Sequence, residues 1–378
     1  MKIAVGYVPK AHIGYGRMGI ELVAALGDLG VEVVTPDEEA PALCYMAFPS
    51  HAGPRDAAQL FTCLTMWEGD HLPETFRDSF HCFDRLLVPS SENVELFGQH
   101  HHDVRYQPLG INPARWGFVP RSEPVGRFTF LTSGRGQRKG VDLVARAFHE
   151  VFGQMSGADP EPHLVVLGAL EHPPRNVTVV ASKLSAVDEV ALYAQAHTYV
   201  AAARGEGWGM RPLQAIAQGC PTILTDAHGH RAFSHLGTPI PATLAPAATF
   251  AFGDAGQWWE PDYDALCTAM LAHYTDWTTY AGRAEASSSE AHRAFTWQRA
   301  AEALINNHGS EVLSAPYEPS GIVVPLDHAT YPLRVNRRCG GDIGGVTYRF
   351  EPDTTYDVPA DVLEVMRRGG YATDEVLT

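Results

Sequence analysis

Residues 204–221 read RGEGWGMRPLQAIAQGCP, and this stretch decides the fold. A Gly-Trp-Gly turn leads into a helix that should start near Pro212 and end at Gly219, since Pro suits the first turn and Gly the position just past the end. TYVAAA before it, from Thr198, and TILT after it, from Thr222, are apolar runs of strand length. Strand, turn, helix and strand in succession make the repeating unit of a parallel sheet covered by helices. The turn then lies at the carboxyl end of a strand, where such sheets bind ligands. Free amides of Gly209, Met210 and Arg211 would point out of the helix N-terminus and form an anion site, and small Gly207 and Gly209 let a phosphate approach. Glu206 and Gln214 belong to the same mouth. A purely structural turn would leave a carboxylate and the Trp208 indole without a purpose there.

The same unit recurs on either side. KIAVGYV opens the chain as a strand, a helix runs from Ile20 to Leu29, Gly30 stops it, and VEVV is the next strand. Further strands are expected at LLVP near 87, FTFLTS near 128, HLVVLG near 163 and VTVVAS near 177, with helical patterns such as VDLVARAFHEVF and DEVALYAQA between them. PLGINPARWGF (108–118) interrupts the series, so an inter-domain boundary is expected near 119. The chain is read as two Rossmann-like α/β domains, 1–118 and 119–307, and an appended β–α module at 319–378. NHGSEVLSAPYEPSG is the linker to that module. YPLRVNR and VTYRFE would be its strands, and a helix would open at Asp357-Val-Pro359 and stop at Gly369-Gly370.

Composition narrows the function. The chain has 378 residues, long enough to bury its cores without disulfides or metal staples. With Lys plus Arg 28 and Asp plus Glu 44, the net charge is −16, which argues against coating nucleic acid or an anionic membrane. No apolar run approaches the ~18 residues of a membrane span, and MKIAVGYVPK lacks the core of a signal peptide. Six scattered cysteines without C-x-x-C read as reduced thiols in a cytoplasmic protein.

Two further motifs bear on chemistry. Gly14-x-Gly16-x-x-Gly19, followed by Asp37, imitates a dinucleotide fingerprint, but PKAHI separates it from the strand. A Gly-rich helix entry explains it as well, and a nicotinamide-dependent oxidoreductase ranks last among the readings. GRGQRKG (134–140) is a cationic knot at a strand end on an acidic chain. Arg135 and Lys139 are the residues expected to grip phosphate oxygens, with Arg138 turned outward.

Together these segments resemble the retaining GT-B glycosyltransferases of glycosyltransferase family 4, over roughly residues 1–307. GEGWGMRPLQAIAQGCPTI looks like the family's E-x7-E segment and SGRGQRKGVDLVARAF like its phosphate segment. GYGRMG, PLGIN, WWEPDYDALCTAML and AFTWQRAAEALI also fit. The resemblance implies a nucleoside diphosphate sugar as donor, UDP-sugar ranked before GDP-sugar, and metal-independent hexosyl or pentosyl transfer to an acceptor hydroxyl. It implies that Glu206 bonds sugar hydroxyls and residue 214 the ribose. Arg135, Lys139 and the amides at 209–211 would hold the diphosphate. Gly14 and Gly16 would crowd the reacting centre, and Ser182, Lys183 and Leu184 would flank the base. Position 214 departs from the pattern, because an amide has one accepting oxygen where a carboxylate accepts at two. A weak or inactive nucleotide-sugar-binding pseudoenzyme is therefore the alternative. In LTMWEGDHLPETF (64–76), Glu68, Asp70 and His71 compete for the place beside the reacting carbon, and Glu68 ranks first.

Two strings are read as decoys. Asp262-Tyr-Asp264 suits helix capping better than a metal, and His100-His101-His102 suits an exposed helix end; no metal is expected. The segment 334–372 is similar to small modules in actinobacterial phage proteins. That similarity puts a protein acceptor, such as a virion subunit in the host cytoplasm, ahead of a small molecule, a glycan or a modified nucleobase.

Overall fold

The computed structural model describes residues 1–10, 14–155, 157–181, 184–247 and 255–324, and the backbone of four strands beyond residue 329. The first half contains β1 (Lys2–Gly6), α1 (Gly14–Asp28), β2 (Glu32–Val34), β3 (Ala42–Met46), β4 (Arg55–Asp56), β5 (Leu60–Leu64), α2 (Glu74–Ser79), β6 (Arg85–Val88), α3 (Ser91–Gly98) and β7 (Val104–Tyr106). Six of these strands form a parallel sheet in the order β2-β1-β3-β5-β6-β7. The second half follows with β8 (Arg127–Gly134), α4 (Val141–Phe152), β9 (Glu161–Gly168), β10 (Val177–Val180), α5 (Ala186–Gln195), β11 (Thr198–Ala201), α6 (Met210–Ala217), β12 (Thr222–Thr225) and β13 (Thr238–Ile240). These strands pair in parallel as β10-β9-β8-β11-β12-β13. The chain is thus α/β with two Rossmann-like sheets, the GT-B arrangement. Central strands β3 and β5 had escaped the sequence reading; ALCYM and LFTCL are short buried runs with cysteines among their apolar residues.

The hairpin β14 (Ala242–Pro246) and β15 (Gln257–Pro261) precedes α7 (Tyr263–Thr275), α8 (Trp277–Ala294), α9 (Trp297–His308), α10 (Ser310–Ser314) and β16 (Val323–Val324). Helix α9 packs on α1 of the first sheet. Gln107 donates to the Ala300 carbonyl at 2.8 Å, and Thr62 Oγ1 lies 2.9 Å from His308 Nε2. One buried cluster therefore runs from Ile3, Val5 and Leu64 of the first sheet to Leu131, Trp208 and Leu224 of the second, with Trp297 and Leu304 closing it. Arg121 fixes the second sheet's helices where they end. Its guanidinium donates to the carbonyls of Tyr193 (2.7 Å), Ala194, Ala196 (3.1 Å), Gln218 (3.0 Å) and Gly219 (3.3 Å), satisfying the orphaned C-terminal groups of α5 and α6.

The stretch read as a linker contains α10 and then returns to the first sheet. Asp56 accepts from the Ser320 and Gly321 amides, both at 3.1 Å, and β16 pairs antiparallel with β4. Beyond it, β17 (Thr330–Arg334) pairs with β20 (Thr355–Pro359), and β18 (Cys339–Ile343) with β19 (Val346–Phe350). Asp357-Val-Pro359 lies in a strand, and the helix expected after it falls on residues 360–378, outside the described residues. Among the described residues, no helix is long and apolar enough to cross a membrane, and Cys44, Cys63, Cys220 and Cys267 are free thiols.

Candidate active site

Strand β11 delivers residues 204–211 to the cleft between the sheets. Helix α6 begins at Met210, two residues before the expected start, with Gly209 as its N-cap at φ +102°. The amides of the first turn have no intrahelical acceptor and make this end electropositive. Glu206 stands just before the turn. Lys139 Nζ lies 2.5 Å from its Oε1, and Arg138 Nη1 lies 3.9 Å from Oε2. Burial alone would raise the Glu206 pKa, but Lys139, Arg138 and His230 outweigh it and hold the carboxyl at about 2. Burial and neighbouring Arg138 in turn push Lys139 below its ordinary value.

The cationic knot is arranged differently from the expectation. Arg138 turns inward and donates to the Gly205 carbonyl at 2.6 Å, while Arg135 is exposed at the rim. The short 3-10 turn Gln137–Lys139 causes this, since Gly136 at φ +72° and Gly140 at φ +65° reverse the chain around it. Arg204 rivets the turn in place. Its guanidinium bonds Glu260 at 2.5 and 3.0 Å and Asp142 at 3.0 and 3.1 Å, and its amide donates to the Arg138 carbonyl at 2.8 Å.

From the opposite sheet, Glu68 reaches this cluster, with Oε1 3.3 Å from Arg138 Nη1. Its competitors do not. The Asp70 carboxylate accepts the Gln257 amide at 2.6 Å, its own amide donates to the Gln257 carbonyl at 3.0 Å, and His71 is exposed. The bare α-carbons of Gly205 and Gly207 explain the close approach. A Cβ at Gly205 would overlap the Glu68 carbonyl oxygen, and one at Gly207 would sit 2.5 Å from Met66 Sδ. Gly14 faces α6, with Met210 Cε 3.9 Å from where its Cβ would be. Gly16 serves packing instead: a Cβ there would overlap the carbonyl oxygen of Lys10.

Two expectations need correction. The Trp208 indole is buried in the inter-sheet core, with ring centroids 5.7 Å from Phe233 and 5.9 Å from Phe295, so packing accounts for it. His101 is not exposed; it is buried, with Nε2 3.0 Å from the Phe83 carbonyl. Asp262 caps α7 by accepting the Ala265 amide at 2.8 Å. No group of three or more His, Cys, Asp or Glu among the described residues is placed to hold a metal. Ser182 and Lys183 lie outside the described residues, and Leu184 packs partly buried just before α5. Gln214 is 4% exposed, and its Oε1 has no hydrogen-bond partner.

AHGHRAF (227–233) was missed. The turn holds His228 and His230, both buried, and the Gly229 amide donates to the Glu206 carbonyl at 2.9 Å. Burial holds His230 near 4 despite the Glu206 charge, so it is neutral at pH 7. A His-Gly-His turn directly after the TILT strand was the available signal, since it falls at the same sheet edge as Glu206.

A family model described as "Family 4 Glycosyltransferase in conflict systems" matches residues 95–304, more than half of the chain. ORF313 of Acidianus filamentous virus 1, named as a glycosyltransferase, is 24% identical over 192 residues, 47% of this chain and 56% of that protein. The chain spans about half the length of the curated relatives it matches. Among solved structures, sucrose-phosphate synthase of Thermosynechococcus elongatus superposes with a TM-score of 0.60 at 13% identity, covering 81% of this chain and 97% of its own. Anabaena HepE, in complex with UDP and glucose, superposes at 0.60 and 12% identity, covering 82% and 100%. Identities this low bear on the fold alone.

Proposed function

Because the chain belongs to the family 4 glycosyltransferases of conflict systems, we propose that it moves a sugar from a nucleoside diphosphate sugar to an acceptor hydroxyl, with retention at the anomeric carbon. The observation that carries this reading is Glu206 beside Lys139 and Arg138 at the α6 N-terminus, faced by Glu68 from the other sheet. A diphosphate would take Lys139, Arg138 and the amides of Gly209, Met210 and Arg211, with Arg135 reaching in from the rim. Lys139 would exchange Glu206 for phosphate, freeing that carboxylate for sugar hydroxyls.

In the reaction, the anomeric C–O bond breaks and its electron pair goes to the diphosphate oxygen. The acceptor oxygen forms the new bond on the same face, and its proton passes to the departing phosphate. Fixed cations stabilise the charge that develops there. Glu68 is engaged by Arg138, which leaves it poorly placed as a free general base and well placed to offset positive charge at the reacting carbon. Closure of the first sheet's loops over the second excludes water. Residues 1–118 would present the acceptor and 119–307 the donor, with 319–378 appended. HepE and pneumococcal GtfA, which share the fold, were each solved with UDP, so UDP-sugars are the donors to test before GDP-sugars. The viral relatives are named only as glycosyltransferases; an acceptor hydroxyl on a protein such as a virion subunit, in the host cytoplasm, is the first acceptor to test.

Incubation with UDP-sugars and co-expressed acceptors tests the reading by nucleotide release, intact mass and the anomeric configuration by NMR. Release abolished in Glu206→Ala supports it, and an inverted product overturns retention. Gln214, an amide where the family pattern has a carboxylate, with its Oε1 unpaired, motivates one alternative, a nucleotide-sugar-binding pseudoenzyme. Binding without turnover of any donor would select it.

A further inference from the structure

The loop that brings Glu68 to Arg138 leaves the first sheet at the end of β5, and its backbone groups need partners of their own. The Thr65 amide donates to the Leu87 carbonyl of β6 at 2.9 Å. After it, side chains of two helices take over. The Met66 amide donates to the Tyr15 hydroxyl of α1 at 3.1 Å, and the Trp67 amide donates to Asn93 Oδ1 of α3 at 2.8 Å. Asn93 also engages the other half of that residue, its Nδ2 donating to the Trp67 carbonyl at 2.9 Å. This carbonyl belongs to the peptide that joins Trp67 to Glu68. Asn93 is buried, and the Ser90 cap fixes its backbone amide at 3.2 Å. A carboxamide carries an acceptor and a donor on one short planar group, so leucine replaces neither bond and aspartate replaces one. From the opposite sheet, the Gly205 α-carbon lies against the Glu68 carbonyl oxygen, where a Cβ would overlap it. The Glu68 backbone is thus fixed on both sides, and its carboxylate reaches Arg138.

Resting on the proposed function, with Glu68 offsetting charge at the reacting carbon, we propose that Asn93 is the positioning residue that aims Glu68 into the cleft. It acts through the Trp67–Glu68 peptide and not by contact with the reacting atoms. Without it, the Trp67 N–H and carbonyl lose a partner inside the protein, and the loop shifts to find another. A shift of about 1 Å at a reacting centre costs up to about a hundredfold in rate. The nucleotide is held by the second sheet in the proposed function, so its affinity does not depend on this clamp.

Donor hydrolysis with UDP- and GDP-sugars, calorimetry with UDP and GDP, and thermal melts test this on the full chain and on Asn93→Leu, Asn93→Asp, Ser90→Ala and Glu68→Gln. Asn93→Leu should lower kcat about tenfold or more and leave nucleotide affinity within about twofold. Asn93→Asp keeps the acceptor for the Trp67 amide, so its kcat should fall between that of the leucine variant and wild type. It carries the test if the leucine variant does not fold. Ser90→Ala removes the cap from the same helix and leaves the clamp, so it should melt earlier with kcat unchanged. Added to Glu68→Gln, either Asn93 variant should lower kcat no further, because both changes act on one carboxylate. Asn93 variants that melt earlier at unchanged kcat would overturn the assignment, as would losses that multiply in the double variant or a matching loss in Ser90→Ala. Glu68→Gln as active as wild type would overturn the role of Glu68, and this inference with it. A wild type that turns over no donor would instead overturn the proposed function, on which the inference rests.

Discussion

Replacing Glu206 by Gln removes a charge and keeps the shape. The carboxyl titrates at about 2 where an ordinary Glu titrates at 4.5. At 1.36 kcal/mol per pH unit, the difference is about 3 kcal/mol of preference for the ionised form. The folded-state value is the depressed one, so between about 4.5 and about 2 the unfolded chain binds the extra proton. The stabilisation is complete above that window and is lost as pH falls through it. Lys139 limits the gain, because its ammonium is itself pushed down by burial and by Arg138, and part of the attraction offsets that cost. Glu206→Gln should therefore cost about 2 kcal/mol near neutral pH, somewhat under the full value. Urea unfolding without nucleotide, at steps from neutral pH down towards pH 3, measures it. The gap between wild type and variant should narrow as the medium acidifies below about 4.5. A gap that stays constant over that range would refute the electrostatic account, and so would a variant as stable as wild type near neutrality.

Arg121→Met should destabilise the fold by about 3 kcal/mol in thermal or urea unfolding, since it strips charged donors from buried carbonyls at the ends of α5 and α6. Gly205→Ala should hold the cleft apart, because the added carbon meets the Glu68 carbonyl oxygen and backbone cannot yield cheaply; X-ray scattering should show a larger radius of gyration, and turnover should fall more than UDP affinity. Gln214→Glu should gain roughly fivefold in UDP affinity by calorimetry, about 1 kcal/mol, by returning a charged acceptor to the position expected to meet the ribose. Truncation after Glu318 should leave donor hydrolysis unchanged, because the described contacts of the tail's first residues are with Asp56, on a strand away from the cationic turn.

The sheets were legible because each β–α unit carries its own signal: a short apolar strand, a glycine, and a helix whose buried face repeats along it, as Val141, Val144, Ala145 and Phe148 do in α4. The candidate site was legible where one segment carried its own groups, as residues 204–211 carry Glu206 and the start of α6. It was illegible where tertiary approach decided. Nothing local distinguishes Arg135 from Arg138; the glycines on either side of their turn select which one faces in. Trp208 had no structural purpose in the sequence reading because a sequence does not show Phe233 and Phe295, the rings that bury it. The clamp of Asn93 on Trp67 spans 26 positions, and no periodicity points to it.

The glycines of GEGWG acquire a second purpose from the same geometry. Their spacing was read as room for a phosphate, yet two of their bare faces press on the Met66–Glu68 loop of the opposite sheet and the third on His230. The side chains alternating with them do other work: Glu206 enters the cationic cluster, and Trp208 anchors the turn in the core. One short turn therefore carries both the group proposed to hold the sugar and the surface against which the sheets close. A ligand that draws Lys139 from Glu206 alters the charge facing Arg138, and through it the partner of Glu68. Arg138 thus meets Glu206 on one side and Glu68 of the opposite sheet on the other.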